Sequence, residues 1–268
     1  DEAAMGDPVR EHKIGSLTVF SNHPVLDQFA RDMLAGIRAE NLPAARINIY
    51  VGIHRKFGPA LFRRGLRLGL QTEHYFDEDG RAMWRKPRPR RLLKQLLFYH
   101  LILDLSPANA PYYRWLPGFL RRRVLFGPHV FPCRPVPYRA GQRPPVFFGA
   151  LNDRRAKILA RLPKDHCHVL SETYGADLHK AVCDSRGVVN IHFADGIYTE
   201  YPRLLSSYLA GKPVLSEKLG AELVEGRDYG TLGQDHSDQQ LRAIFSSFCG
   251  GFAARHRLTD FLRRIAGP

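Results

Sequence analysis

Short apolar runs alternate with amphipathic segments along the first half of the chain. Leu17-Thr-Val-Phe and the run at 47–53 are apolar enough for buried strands, and residues 24–41 between them have a helical periodicity. Similar patterns predict three more strands and one basic helix, at 67–72, 101–105, 123–126 and 89–99 respectively. Because strands that alternate with helices form parallel sheets, the pattern predicts an α/β fold.

A proline-rich stretch from Pro128 to Pro145 interrupts this pattern and is typical of a linker. The alternation then resumes, with predicted strands near 145–149, 166–170, 187–191 and 213–216 and a helical region from about residue 238. We therefore predict two Rossmann-like lobes, residues 1–140 and 141–268. Ligands of such sheets bind beyond the carboxyl ends of the strands, so we expect the two lobes to face a cleft.

Composition narrows the class of protein without choosing a function. The longest apolar stretch, 96–105, contains His100 and Asp104 and is shorter than the roughly 20 residues of a membrane-spanning helix. Four widely spaced cysteines without a Cys-x-x-Cys pair argue against a disulfide scaffold or a zinc ribbon. Together with the lack of a signal-peptide pattern, these features predict a cytoplasmic protein.

The formal net charge of +14 is concentrated in the first lobe, where residues 1–140 hold 23 Lys and Arg against 12 Asp and Glu. The basic stretch 85–99 and Arg121-Arg-Arg123 fit an anionic membrane surface, at the inner face of the plasma membrane. One alternative is a solvated basic face. Another is nucleic-acid binding, which would require aromatic residues interleaved with Lys and Arg. Tyr112-Tyr-Arg114 matches that pattern only weakly.

Candidate ligand-binding residues of the second lobe follow the predicted strands. The turn at 195–200 precedes a helix, whose N-terminus suits a diphosphate, and nearby arginines can add charge-assisted contacts. An alternative is that the arginines only cap the helix, lie in solvent or pair with Asp153 and Glu200. The candidates are Gly149, Asn152, Arg154, Arg155, Tyr174, Gly175, His192, Tyr198, Thr199, Glu200, Arg203 and Glu217.

The order of motifs in this lobe carries a family resemblance. The motifs are Phe147-Phe-Gly-Ala-Leu-Asn-Asp-Arg-Arg, Tyr174-Gly-Ala-Asp-Leu, Val188-Val-Asn-Ile-His, Thr199-Glu-Tyr-Pro-Arg-Leu-Leu and Ala210-Gly-Lys-Pro-Val-Leu-Ser-Glu. Over residues 145–232 they resemble bacterial GT-B glycosyltransferases of the group-one-like type. The resemblance implies a GT-B fold and the transfer of a sugar from a nucleotide-sugar donor to an acceptor, such as a surface glycan or a lipid-linked saccharide.

The match to that family is incomplete. Many of its members have a ribose-binding glutamate five residues before the glycine of the Gly-Lys-Pro-Val turn, where this chain has Ser206. The family's nucleotide contacts are therefore not transferred as a set. By position, Glu217 is an alternative contact for the nucleotide or the sugar, or else an exposed loop carboxylate.

In a GT-B enzyme the first lobe would bind the acceptor. His54, Glu73 and His74 follow predicted strands and are candidates for a general base, with a purely structural role as the alternative for each. Burial of Glu73 in a cleft would raise its pKa and suit it to that task.

The sequence does not predict a metal site. No Asp-x-Asp motif follows a strand, and Asp77-Glu-Asp79 reads as a solvated turn. In His166-Cys-His168 the cysteine points away from the two histidines if the segment is a strand. We therefore expect a metal-independent transferase without a cofactor, in which a helix dipole and arginines stabilise the leaving nucleotide.

Three alternative functions are compatible with the residues. One is a nucleotide-sugar epimerase on the same fold, and another is a binding protein that keeps the nucleotide pocket without catalysis. The third, a basic nucleic-acid-binding protein, follows from the charge of the first lobe alone.

Overall fold

The computed structural model describes residues 8–132, 135–170, 173 and 175–267. Contacts divide the chain into two compact units, the first Asp1–Cys133 with His256–Pro268 and the second Arg134–Arg255. Each unit has its own sheet of mainly parallel strands with helices, so the predicted α/β class is confirmed. Within the residues described, none of the helices is both long and apolar enough to cross a bilayer.

The sheet of the first unit has six strands in sequential order. Strand β1 pairs antiparallel with β2, and each later pair is parallel. The strands are β1 (Arg10–Ile14), β2 (Leu17–Ser21), β3 (Ile47–Val51), β4 (Leu66–Gln71), β5 (Leu101–Asp104) and β6 (Val124–Phe126).

Continuous burial explains why the central strands were predicted and β1 was not. All five residues of β2 and of β3 are buried, as expected for parallel strands covered on both faces. In contrast, β1 is a largely exposed edge strand with the polar sequence Arg-Glu-His-Lys-Ile. Its pairing comes from the tight turn at Gly15, which has a φ of 53°.

The helices of the first unit are α1 (Pro24–Leu34), α2 (Pro89–Phe98), α3 (Ala110–Tyr113), α4 (Gly118–Arg121) and α9 (Leu258–Ala266). Helix α1 is shorter than the predicted span 24–41, since the chain turns at Gly36 with a φ of 73°. Helix α2 agrees with its prediction to within one residue, and both helices begin with a proline in the first turn.

The sheet of the second unit is entirely parallel, in the order β11-β10-β9-β7-β8. Its strands are β7 (Val146–Phe148), β8 (His168–Leu170), β9 (Val188–Asn190), β10 (Val214–Ser216) and β11 (Gly230–Thr231). From β7 the chain adds β8 on one side and then returns to add β9 on the other. The strand order therefore reverses between β7 and β9, which creates a topological switch point.

Helices α5 (Asp153–Leu159), α6 (Gly175–Asp184), α7 (Tyr201–Leu209) and α8 (Asp238–Ser247) belong to this unit. Alternate residues of the short strands enter two core clusters on opposite faces of the sheet. Val146 and Val188 belong to one cluster, and Phe147 and Val189 belong to the other. These packed faces fix the strand ends that carry the polar loops.

The division of the chain differs from the predicted boundary at residue 140. Residues 256–268, which the prediction placed in the C-terminal lobe, belong to the first unit. The backbone of Phe131 exchanges hydrogen bonds with His256 and Leu258, and the apolar face of α9 buries Phe261. The sequence shows that α9 is amphipathic, but amphipathicity does not specify which sheet the helix covers.

Candidate functional site

A polar cluster lies at the switch point of the second unit, where β7, β9 and β10 end. Gly149 directly follows β7 and has a φ of 112°, a conformation that favours glycine. A Cβ atom at this position would also lie 3.2 Å from Nη2 of Arg203. The positive φ and the close approach of Arg203 both explain why this position, directly after β7, is a glycine.

Asn152 joins the loops that follow β7 and β9. Its Oδ1 accepts a hydrogen bond from the backbone N–H of Arg155 at 2.9 Å and so caps α5. Its Nδ2 donates to the carbonyl of Phe193 at 2.7 Å. One side chain thus holds the two sides of the switch point together.

The inner part of the cluster consists of two buried arginines and one carboxylate. Glu200 accepts from Arg155 at 2.8 Å and from Arg203 at 3.0 Å, and the arginine side chains are only 4% and 8% exposed. Arg203 also donates to Oδ1 of Asn190 at 3.0 Å, and both guanidinium groups lie over the ring of Phe147. Desolvation lowers the pKa of Arg203, an effect that the charge of Glu200 opposes and that of Arg155 reinforces.

The outer part of the cluster is centred on Arg154. Its guanidinium makes a two-pronged contact with Glu217, at 2.9 and 2.7 Å, and donates to the carbonyl of His192 at 2.9 Å. Its Nε lies 2.5 Å from Oδ1 of Asp195, whose side chain is 95% exposed. The hydrogen bonds from Arg154 to Glu217 are the main cause of its raised pKa.

His192 is buried beneath this outer part. Its Nε2 lies 2.9 Å from the carbonyl of Lys218 and must donate to it, which leaves a lone pair on Nδ1. Among the residues described, that buried Nδ1 has no hydrogen-bond partner. Burial lowers the pKa of His192, so the ring is neutral at physiological pH, and it packs 4.4 Å from the ring of Tyr198.

The remaining candidates support loops around the cluster. The hydroxyl of Tyr198 accepts from the backbone of Ala194 at 3.0 Å, and that of Thr199 accepts from Gly220 at 3.0 Å. Gly175 begins α6 with a φ of 59°, a backbone conformation that favours glycine, so the backbone explains this residue. Tyr174 lies outside the described residues.

The arginine contacts differ in part from the alternative drawn from the sequence. Arg155 and Arg203 do pair with Glu200, but Arg154 pairs with Glu217 and Asp195 rather than with Asp153. Sequence reasoning missed Asn190 and Asp195 as members of the cluster. Asn190 could have been predicted from the sequence, because it is the polar residue that ends the apolar run of β9.

A second group of candidates lies at the carboxyl ends of β3 and β4 in the first unit. Nε2 of His54 is 3.3 Å from Oε1 of Glu73, and Nε of Arg85 is 2.9 Å from Oε2 of the same carboxylate. Desolvation, reinforced by Arg85 and other arginines, lowers the pKa of His54 to about 3. Desolvation also raises the pKa of Glu73, against the effect of Arg85. His54 is therefore neutral and lies beside a carboxylate whose charged form is disfavoured by burial.

The loop of Glu73 is fixed by a buried amide. Asn109 donates to the carbonyl of Glu73 at 2.8 Å and accepts from the backbone of Tyr75 at 2.8 Å. Asp104 accepts from Asn109 at 3.1 Å, and desolvation raises the pKa of that fully buried acid to about 7. His74 is buried beside this loop, and the pair of His54 and Glu73 forms without it.

His166 and Asp77, which belong to the histidine-containing and acidic segments, contact other residues of the chain. His166 lies 3.1 Å from the exposed carboxylate of Asp235. Asp77 is buried, which corrects the prediction of a solvated acidic run, because its carboxylate accepts from the backbone of Arg81 and closes a turn. Across the part of the chain that the structure describes, no three His, Cys, Asp or Glu residues are grouped as a metal site would require.

Comparison with known proteins adds little to this geometry. No protein-family model and no curated protein matches the chain. Among solved structures, a chain of the "GtfA/B complex bound to UDP and GlcNAc" is similar over 82% of this chain and 56% of its own length. This chain therefore spans about half the length of the other. The two share 8% sequence identity with a TM-score of 0.37, and a likeness this weak carries no functional conclusion.

Proposed function

We propose that the protein is a glycosyltransferase whose second unit binds a nucleotide-sugar donor at the switch point between β7 and β9. The first unit binds the acceptor beside His54 and Glu73. The observation that carries this proposal is Arg154, whose guanidinium is oriented at the strand ends by Glu217 and also contacts an almost fully exposed carboxylate, Asp195.

A diphosphate group fits the chemistry of the outer part of the cluster. Glu217 is a two-pronged partner of Arg154, whereas Asp195 makes one contact from solvent. Exposed ion pairs contribute only about 0–1 kcal/mol, so a doubly charged diphosphate displaces Asp195 at little cost. Arg154 then makes charge-assisted hydrogen bonds to phosphate oxygens, while Glu217 keeps the guanidinium oriented.

The inner arginines support the departure of the nucleotide. Arg155 and Arg203 together carry one positive charge more than Glu200 neutralises, and they are shielded from solvent. A fixed positive charge at low local dielectric stabilises negative charge that develops on the leaving diphosphate. We therefore propose that transfer proceeds without a metal ion.

Glu73 is the proposed general base of the first unit. Its side chain is 16% exposed and its pKa is raised, which makes it a stronger base than an ordinary carboxylate. His54 positions this carboxylate rather than serving as the base, because its Nδ1 is buried and its pKa is lowered to about 3. Arg85 holds the other carboxylate oxygen.

The proposal is tested by product analysis after a nucleotide screen. Binding of a nucleoside diphosphate raises the melting temperature by mass action, which identifies the donor nucleotide. The matching nucleotide sugars are then incubated with and without candidate glycan acceptors. Glycosylated acceptor together with free nucleotide supports the proposal, whereas conversion of the donor to its epimer without acceptor identifies an epimerase and overturns it.

A further inference from the structure

A segment of the first unit carries an unbalanced positive charge. Between Gly80 and Gly127 the sequence has eleven Lys and Arg residues, and Asp104 is its only acidic residue. Asp104 is completely buried and hydrogen-bonded to Tyr113 at 2.6 Å, so it offers no negative charge at the surface. The segment therefore favours anionic partners.

Helix α2 presents apolar and basic side chains together on its outer face. Leu93 is 44% exposed and Leu97 is 79% exposed. The two are four residues apart and therefore neighbours on one face of the helix. Arg90 and Lys94, also four residues apart and exposed, lie beside them on the helical turn.

The adjoining segment of α3 and α4 adds two large aromatic side chains. Trp115 is 46% exposed and Phe119 is 71% exposed. This segment is packed next to α2, because the hydroxyl of Tyr112 donates to the carbonyl of Arg88 at 2.9 Å and Leu116 enters the same core cluster as α2. The exposed aromatic and aliphatic residues thus lie on two neighbouring elements.

We propose that this surface, the α2–α4 face, docks the first unit on an anionic lipid bilayer. Its members are Arg90, Leu93, Lys94, Leu97, Trp115 and Phe119. A bilayer interface accepts both kinds of side chain at once, since apolar groups enter the acyl boundary while Lys and Arg extend to the lipid phosphates. An acidic polymer would use the charges and leave Leu97 and Phe119 in water.

The tryptophans of the protein report directly on this contact. The chain has only two, Trp84 and Trp115, each 46% exposed and both within the basic segment. Vesicles of phosphatidylcholine with phosphatidylglycerol should shift the fluorescence emission to shorter wavelength, and lipids brominated on the acyl chain should quench it. Trp84→Phe leaves Trp115 as the single reporter, and its quenching should persist.

Paired variants separate the apolar and electrostatic parts of binding. Near an anionic surface each cationic residue contributes about fivefold to partitioning, so Arg90→Gln with Lys94→Gln should weaken vesicle binding roughly 25-fold. Leu97→Ser with Phe119→Ser should weaken it by at least about tenfold, since both side chains leave the acyl boundary. The matched control, Lys157→Gln with Arg161→Gln, removes two exposed cations of the second unit and should bind like wild type.

Three results would overturn the proposal. The first is a wild-type protein that does not bind anionic vesicles at moderate salt. The second is equal weakening by the control pair, which would indicate a response to total charge. The third is vesicle binding without acyl-chain quenching and without any effect of the Leu97 and Phe119 variants, which would show that the contact is electrostatic only and that the apolar side chains do not enter the bilayer. These measurements need neither donor nor acceptor and are independent of the proposed function.

Discussion

Asp195 competes with the proposed diphosphate for the guanidinium of Arg154. Asp195→Asn removes that competition without touching Glu217, so the affinity for a nucleoside diphosphate should rise about two- to fivefold. Isothermal titration calorimetry measures the change. Asp235→Asn is the matched control, because Asp235 is 98% exposed and also contacts a single side chain, that of His166. An unchanged or weaker affinity in Asp195→Asn would contradict the displacement of Asp195.

Glu73 should control the acid side of the pH–rate profile. A base must be deprotonated, and desolvation raises the pKa of Glu73, so activity should rise with pH above the range in which ordinary carboxylates titrate. Glu73→Gln should lower kcat by about 10²–10⁴ with little change in donor affinity. A variant with wild-type kcat would show that Glu73 only supports the loop.

Single residues of the site were predictable where position decides their role. Arg154 and Arg155 lie in the first turn of the helix after β7 and Glu200 directly precedes α7, so chain order suffices to bring them to one sheet edge. The partner of each arginine was not predictable. Arg154 pairs with Glu217, at the end of another strand, and not with the adjacent Asp153. Such choices depend on three-dimensional distances.

The loop after β4 depends on one buried amide at the start of the next helical segment. Asn109→Ala removes the hydrogen bonds to Glu73 and Tyr75 and leaves polar groups buried, so unfolding free energy should fall by about 1–3 kcal/mol. Urea denaturation measures this loss. Asn41→Ala, at a half-buried asparagine whose backbone carbonyl accepts from Arg263, should cost less. Equal costs would contradict an anchoring role of the Asn109 side chain.

Elements with strong periodicity were predicted well, and elements defined by tertiary contacts were not. The buried runs of β2 and β3 and the proline start of α2 are local features, which explains their accurate bounds. Strand β1 is polar and exists because it pairs with β2. The assignment of α9 to the first unit likewise follows from its packing beside Phe131.

Two partly buried, neutral histidines add an acid-sensitive contribution to the stability of the molecule. Desolvation lowers the pKa of His54 to about 3 and that of His129 to about 4, whereas an unfolded chain binds these protons near pH 6.5. At these two histidines the unfolded state therefore holds more protons below about pH 6.5, so their contribution to stability should fall as the pH drops from there towards about 4.

His129→Phe should reduce this acid sensitivity. The ring of His129 stacks on Phe261 at 4.7 Å, a contact that phenylalanine can keep. Between about pH 7.5 and 5, the variant should lose about 1 kcal/mol less unfolding free energy than wild type, a value lowered by the partial exposure of the ring. Urea denaturation at both pH values provides the comparison. Parallel losses in the two proteins would contradict a neutral His129 in the folded protein.

The proposed metal independence concerns the molecule as a whole. If Arg154, Arg155 and Arg203 supply the positive charge for the leaving diphosphate, EDTA should leave the rate of sugar transfer within about twofold. Abolition of turnover by the chelator, with recovery on addition of Mg²⁺ or Mn²⁺, would contradict this role of the arginines.

The central claim is that Arg154 marks the donor site, and calorimetric titration of a nucleoside diphosphate into three proteins tests it most directly. Arg154→Ala removes the proposed phosphate contact, while Arg161→Ala removes an exposed arginine just beyond the same helix. Loss of a charge-assisted contact costs about 1.5–3 kcal/mol, so affinity should fall roughly 10- to 100-fold in Arg154→Ala and remain unchanged in Arg161→Ala. Wild-type affinity in Arg154→Ala, or no binding of any nucleoside diphosphate to the wild type, would contradict the account.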